Sequence, residues 1–435
     1  MHKTKKISAL PALIAVLALI VCALVVGVFA DGGEAEEAVS RFYGTAWSLL
    51  PPVIAIVLAL ITKEVYSSLF VGILAGGLLY SNFAFEGTVL HIFNGGIVAV
   101  LAQPDGYNIG ILIFLVILGA MVSLMNRAGG SAAFGRWAAK HIKTRVGAQL
   151  ATIALGVLIF VDDYFNCLTV GSVMRPVTDK HNVSRAKLSY LIDATAAPVC
   201  IIAPISSWAA AVASYVEDGQ GLTLFIKSIP FNFYAWLTII MMIGLAVLKI
   251  EYGPMAKFEK NAQAGDLFSG KNPYAGMEDD VPEGKGKVID LVLPIVVLVF
   301  CCVMGIIYSG AFSTGTSWGT FGILIPITLS VFPLTDPHGV VCVSACMAGA
   351  VCGDHCSPIS DTTIMASAGA QCDHVNHVST QLPYAITCAA VSCVSYIAAG
   401  FVPNAYIALP VAILLMLGTL VVIKLINKGR VSNDA

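Results

Sequence analysis

The chain has 435 residues, 57% hydrophobic and 11% charged, with a formal net charge of −2 and a mean hydropathy of +0.85. Soluble domains carry about 25% charged residues, and apolar runs of about 20 residues recur along the whole length here, so a soluble globular protein is excluded. No basic patch or aromatic-interleaved groove suits nucleic acid.

Residues 1–6 hold three lysines and 7–30 are uncharged, which predicts a first membrane span. Val28-Phe29-Ala30 offers signal-peptidase cleavage as the alternative. An acidic loop follows (Asp31, Glu34, Glu36, Glu37), so the positive-inside rule puts the N-terminus in the cytoplasm. Runs 47–62 and 65–80 read as two spans joined at Lys63-Glu64, with 88–102 lying along the outer surface and 108–126 returning inward. Arg127, Arg136, Lys140, Lys143 and Arg145 then mark a cytoplasmic loop.

Residues 147–174 are apolar except for Asp162-Asp163, yet basic residues flank both ends. A single crossing would break the charge rule, whereas a re-entrant hairpin with Asp162-Asp163-Tyr164-Phe165-Asn166 at its tip obeys it. Such backbone survives at membrane depth only inside protein or beside a watery cavity. Run 188–214 goes outward, interrupted at Ala203-Pro204-Ile205-Ser206-Ser207, with Glu217-Asp218-Gly219 as an external turn. Run 222–250 returns, 251–287 is a polar linker, and 288–308 goes outward. Gly315-Thr316-Ser317-Trp318-Gly319-Thr320 reads as a second hairpin tip, with 321–332 as its second arm. Run 340–370 crosses inward, and 382–400 and 405–423 complete the bundle. Lys424, Lys428 and Arg430 keep the C-terminus inside. The expected fold is therefore an all-α polytopic membrane protein of about ten transmembrane helices, with broken helices and re-entrant hairpins.

The echo between Ala203-Pro204-Ile205-Ser206-Ser207 and Ser357-Pro358-Ile359-Ser360-Asp361, in spans of opposite direction, predicts two inverted repeats. The chain then divides into 1–46, a first repeat over 47–250, a linker over 251–287 and a second repeat over 288–435. The second repeat is short near 308–312. Either its hairpin is degenerate, or roughly two spans and an arm are absent there.

The densest chemistry lies in Cys352-Gly353-Asp354-His355-Cys356-Ser357-Pro358-Ile359-Ser360-Asp361-Thr362-Thr363. Ionisable residues inside an apolar span are costly and point to function, and Ser-Pro-Ile-Ser breaks a helix, freeing carbonyls beside carboxylates for a hard cation. Sodium ligands are expected at Asp361, Asp354 and Asp163. Candidate ion- or substrate-binding residues are Asp162, Asp163, Asn166, Ser206, Ser207, Thr314, Thr316, Ser317, Trp318, Thr320, Asp354, His355, Ser357, Ser360, Asp361 and Thr362. Asp193, also within a span, is a second-tier candidate. Cys352, His355, Cys356, Cys372, His374 and His377 match no compact zinc spacing, and no enzyme signature occurs.

At Leu60-Ile61-Thr62-Lys63-Glu64-Val65, the Phe160–Asn166 tip, Thr314–Thr320, Gly353–Thr363, Cys372–Val378 and Thr380-Gln381-Leu382-Pro383-Tyr384 the chain resembles the NhaC-type sodium/proton antiporters of the ion-transporter superfamily. The resemblance implies secondary exchange of sodium for protons by alternating access in a prokaryotic cytoplasmic membrane, without a cofactor. It also implies sodium, protons and the lipid bilayer as partners. A small organic solute and a second copy in a homodimer are further candidates, since some of the group resemble carriers of amino acids or small carboxylates. A coupled carrier of such a solute is therefore the alternative function.

Overall fold

The computed structural model describes residues 40–98 (without 43–44 and 63), 127–214, 220–274 (without 271), 286–309, 318–333 and 336–433, with isolated positions at 113–125 and 216. The predicted first span, the acidic loop up to residue 39, the external turn at 217–219 and Thr314, Thr316 and Ser317 lie outside them. Among the described residues every regular element is helical, as the composition requires of a polytopic α-helical membrane protein. The chain divides into two compact units, 1–110 and 111–435.

In the first unit α1 (Leu50–Thr62) and α2 (Val65–Tyr80) pack side by side. The Glu64 carboxylate caps α2 by accepting from the Ser67 amide at 2.8 Å and from the Ser67 hydroxyl. A short α3 (Phe85–Leu90) continues into a π-helical stretch, His91–Val98.

The second unit opens with α4 (Gly130–His141) and α5 (Arg145–Leu158). Four residues, 159–162, leave the helix before α6 (Asp163–Lys180) begins. Asp162 has extended backbone and its carboxylate accepts from the Phe165 amide at 2.9 Å, which fixes the start of α6 there. The Asn166 side-chain amide reaches back to the carbonyls of Gly156 (2.7 Å) and Ile159 (2.9 Å) where α5 stops. At the far end, Glu259 accepts from both Arg145, which opens α5, and the Ser184 amide, just after α6, at 2.8 Å. The chain thus comes back to where it set out. At 14 residues α5 is about 21 Å long, short of a bilayer's apolar core of about 30 Å. The break falls at 159–162, and Asp163–Asn166, expected at the tip, form the first turn of α6.

After α7 (Arg185–Asp193) and a single turn, α8 (Ala197–Cys200), residues 201–206 are non-helical and α9 (Ser207–Ser214) follows. The interruption expected at 203–207 is present. A second one, at 194–196, carried no sequence signal except Pro198, which favours a helix start. Helix α10 (Gly221–Ser228) and α11 (Phe233–Leu248) form a bent pair, turned by 44° at a break around Asn232. Residues 251–287, expected as a linker, contain α12 (Pro254–Gln263), whose Glu259 is fully buried. Then come α13 (Ile289–Ser309), α14 (Trp318–Val331), α15 (Pro337–Cys356), a break at 357–360, α16 (Asp361–Ala370), α17 (His374–Phe401) and α18 (Ala405–Asn433). Trp318 and Thr320 are described only as part of the first turn of α14. Helix α17 starts eight residues earlier than hydropathy predicts. Asp373 caps it by accepting from the Asn376 amide at 2.9 Å, and its polar His377, Thr380 and Gln381 are buried in protein.

Helices α15, α17 and the first part of α18 are each long and apolar enough to cross a membrane, as α10 and α11 are together. Helix α15 is largely buried and α18 largely exposed, so α15 is central and α18 peripheral. Outward-facing Phe401, Tyr406 and Leu414 suit lipid.

One close approach decides the geometry of the interior. A Cβ on Gly171 of α6 would fall 2.4 Å from the Gly369 carbonyl carbon of α16, and one on Gly369 would fall 2.4 Å from the Cys167 oxygen. The two helices touch backbone to backbone, which only glycine permits. Tyr164 meets Asp361 and, further along, Gly171 meets Gly369, so α6 and α16 run in the same direction with their N-termini together.

Candidate functional site

Three interruptions converge at those N-termini. The first is the turn before α6, the second is the loop before α9, and the third is the break between α15 and α16. The Ser207 amide donates to the Val161 carbonyl at 2.9 Å, and the Trp208 indole N–H donates to Asp163 Oδ2 at 3.0 Å. These bonds hold the first broken helix to the hairpin. From the hairpin's other side the Tyr164 hydroxyl donates to Asp361 Oδ2 at 2.6 Å. Asp162, Asp354 and Asp361 all lie within electrostatic reach of Asp163.

Asp162 and Asp163 are 9% and 4% exposed, whereas Asp354 and Asp361 are half-buried. Part of the cluster is therefore sealed and part accessible. Both helix N-termini stabilise negative charge, and Asp163 and Asp361 each stand in a first turn. That alone does not accommodate the buried Asp162 and Asp163 with Asp354 and Asp361 in electrostatic reach, since like charges oppose joint ionisation. Arg175 lies twelve residues along α6, about 18 Å away, too far to pair with Asp163. Among the described residues no three His, Cys, Asp or Glu side chains are gathered closely enough to hold a metal ion.

The hydroxyls of the break do a different job. Thr363 Oγ1 donates towards the carbonyls of Ser357 (3.0 Å) and Ser360 (2.9 Å), and Ser360 and Thr362 bond to each other at 3.0 Å. They close the turn that aims Asp361. Ser206 acts likewise, its hydroxyl lying 2.7 Å from the Cys200 carbonyl and accepting from the Ala209 amide at 3.1 Å. Asn166 is engaged with backbone, adding the Thr195 carbonyl at 3.2 Å. His355 points away from the acids, its Nδ1 3.0 Å from the Tyr234 hydroxyl and its Nε2 3.3 Å from the Asp193 carbonyl.

The structure thus brings Asp162, Asp163, Ser207 and Asp361 to the meeting of the two helix N-termini, with Asp354 in electrostatic reach of Asp163, and sets Asn166, Ser206, Ser357, Ser360 and Thr362 as the frame around them. Sequence reasoning did not single out Tyr164 and Trp208. Each lies next to a residue that it did, Asp163 and Ser207, and a hydroxyl or indole N–H beside a buried acid is the signal that points to them.

A family model described as the Na+/H+ antiporter family matches residues 292–401. An uncharacterized protein of Haemophilus influenzae is 32% identical, over 83% of this chain and 92% of the relative. The malate-2H(+)/Na(+)-lactate antiporter of Bacillus subtilis is 29% identical over 107 residues, 24% of this chain and 21% of that protein. An uncharacterized Na(+)/H(+) antiporter of H. influenzae is 40% identical over 82 residues, 18% of each chain. No solved structure matches the chain. The family pattern falls on the helices that carry the break and its acids, and one relative is shared almost end to end, so this helical membrane protein belongs to the Na+/H+ antiporter family, a family of transporters rather than enzymes.

Proposed function

We propose that the chain is an NhaC-type antiporter that exchanges sodium for protons across a prokaryotic cytoplasmic membrane by alternating access. The observation that carries this reading is the clustering of Asp162, Asp163, Asp354 and Asp361, drawn from three chain segments and joined across them by the Tyr164–Asp361 bond of 2.6 Å. A carboxylate cluster that binds either a cation or protons, never both fully, exchanges one for the other. Asp163, Asp354 and Asp361 are the sodium ligands in this reading. The inverted repeats, about ten spans and cytoplasmic termini complete it, with a homodimer as its assembly. The hairpin of α5 and α6, which ends where it begins, supports a re-entrant element.

The alignment with the H. influenzae relative is 484 positions long, yet 83% of this chain's 435 residues is about 361, so roughly 120 positions belong to the relative alone. We assign these to a segment missing near 308–312, enough for two spans and an arm at about 20 residues per span.

A second reading follows from the B. subtilis relative, whose name gives malate and lactate as its substrates. A small carboxylate could join the cation at the paired helix N-termini. Proteoliposomes with an internal pH dye, titrated with sodium, lithium and potassium with and without organic acids or amino acids, separate the two. Sodium alone should drive the pH change, and Asp361→Asn should abolish it with expression intact. Wild-type rates in that variant overturn the role of Asp361, and a strict need for the organic solute selects the second reading.

A further inference from the structure

A second polar cluster lies apart from the carboxylates, and nothing in the exchange site uses it. Asp193, the last residue of α7, is fully buried, as are His377 and Gln381 of α17. Asp193 Oδ2 accepts from the Gln381 amide at 2.6 Å and faces His377 Nε2 at 3.2 Å. The same Gln381 amide donates to the His355 carbonyl at 2.9 Å. Three atoms of this cluster, Asp193 Oδ1, His377 Nδ1 and Gln381 Oε1, find no hydrogen-bond partner among the described residues. A buried polar atom without a partner costs about 1–3 kcal/mol, and three in one cluster call for an explanation.

The groups facing the pair are His355 from α15, Tyr234 behind it on α11, His374 one turn earlier on α17, and Cys167 from α6. Lys187, at the other end of α7, is committed to Glu251 at 3.0 Å. With His377 neutral and Asp193 ionised the pair carries one negative charge. A proton added at the open Nδ1 gives an imidazolium whose Nε2–H stays on the carboxylate, and the pair becomes neutral overall. Loss of the same proton restores the charge, and no other group has to change.

Its position links this pair to both broken helices. Asp193 immediately precedes the interruption at 194–196, where the Thr195 carbonyl is held by Asn166 in the first turn of α6. Through Gln381 it is tied to His355, two residues before the break that aims Asp361. We propose that Asp193 and His377 form a proton-binding site separate from the cation-binding carboxylates, and that it relays the proton exchanged at those carboxylates. This deepens the antiport reading and rests on it.

The test uses the full chain in proteoliposomes with two measurements, the sodium-driven pH change and radioactive sodium-for-sodium counterflow at fixed, equal pH. In Asp193→Asn and His377→Gln the pH change should fall by roughly a hundredfold, the low end of what a positioned proton carrier contributes, while counterflow persists. Variants that keep the wild-type pH profile overturn the inference, and so do folded variants that lose counterflow as completely as exchange. Should both fail to fold, Gln381→Glu adds a titratable group to the cluster and must move the pH midpoint of exchange, and an unmoved midpoint overturns it too. If the wild type moves neither ion, the antiport reading falls and the inference with it. If the wild type exchanges and the variants match it, the inference falls alone.

Discussion

Replacing Gly171 by alanine tests whether the contact of α6 with α16 sets the site. The added Cβ lands 2.4, 2.6 and 2.7 Å from the carbonyl carbon, oxygen and Cα of Gly369, all backbone atoms that cannot rotate away. Carbon contacts are comfortable from about 3.5 Å, so the helices must part by about 1 Å. Overpacking of this kind costs about 1–3 kcal/mol, against which alanine's helix preference returns at most about 1 kcal/mol. The larger consequence is at the N-termini. The Tyr164–Asp361 bond, now 2.6 Å, would lengthen by a similar amount, to a separation that no longer counts as a hydrogen bond. Exchange should fall by about 5- to 150-fold at 1.4 kcal/mol per tenfold, with a lowered melting temperature in detergent. Gly349→Ala and Gly418→Ala, where nothing lies within 4 Å, are the controls and should melt at or slightly above the wild-type temperature. Sodium-driven pH change in proteoliposomes reads the first effect. A Gly171→Ala protein with wild-type rate and melting temperature would refute the argument that backbone contact positions the acids.

Tyr164→Phe removes a donor to a carboxylate without creating a clash, which is worth about 1.5–3 kcal/mol; it should slow exchange about tenfold or more with a near-normal melting temperature, and unchanged sodium-dependence curves would show the bond to be incidental. Glu259→Ala withdraws the acceptor shared by Arg145 and the Ser184 amide, costing about 2 kcal/mol after allowance for the partly exposed arginine, and limited proteolysis should then open the hairpin ends first. In the first unit, the Ser67 hydroxyl and amide hold the Glu64 carboxyl below its ordinary value of 4.5. The cap on α2 is therefore complete above that value and weakens as the pH falls through the lower one. Hydrogen exchange at the Ser67 amide should accelerate in acid, and Glu64→Gln should remove that dependence.

Hydropathy, proline and polar-charge placement are local properties, and they located the helices and their interruptions closely. The expected spans at 47–62, 65–80 and 288–308 match α1, α2 and α13 within a few residues. The break after Cys356 lies where Ser357-Pro358-Ile359-Ser360 removes a backbone donor, and the hairpin lies where two acids interrupt an apolar run. The error over the start of α17 has the same origin. His377, Thr380 and Gln381 read as a solvated end because hydropathy cannot distinguish a polar residue facing water from one facing Asp193.

The sequence by itself determined that this is a helical membrane protein with acids set at helix breaks, since insertion energy and helix termination depend on residues close together in the chain. Only the tertiary structure decided which acids meet. Tyr164 and Asp361 are 197 residues apart, and Asp193 and His377 are 184 apart. Tyr164 and Asp361 meet beside two glycines, Gly171 and Gly369, that let two parallel helices touch backbone to backbone. A missing side chain leaves no mark of its partner in the sequence around it, so that contact becomes visible only once the helices are packed.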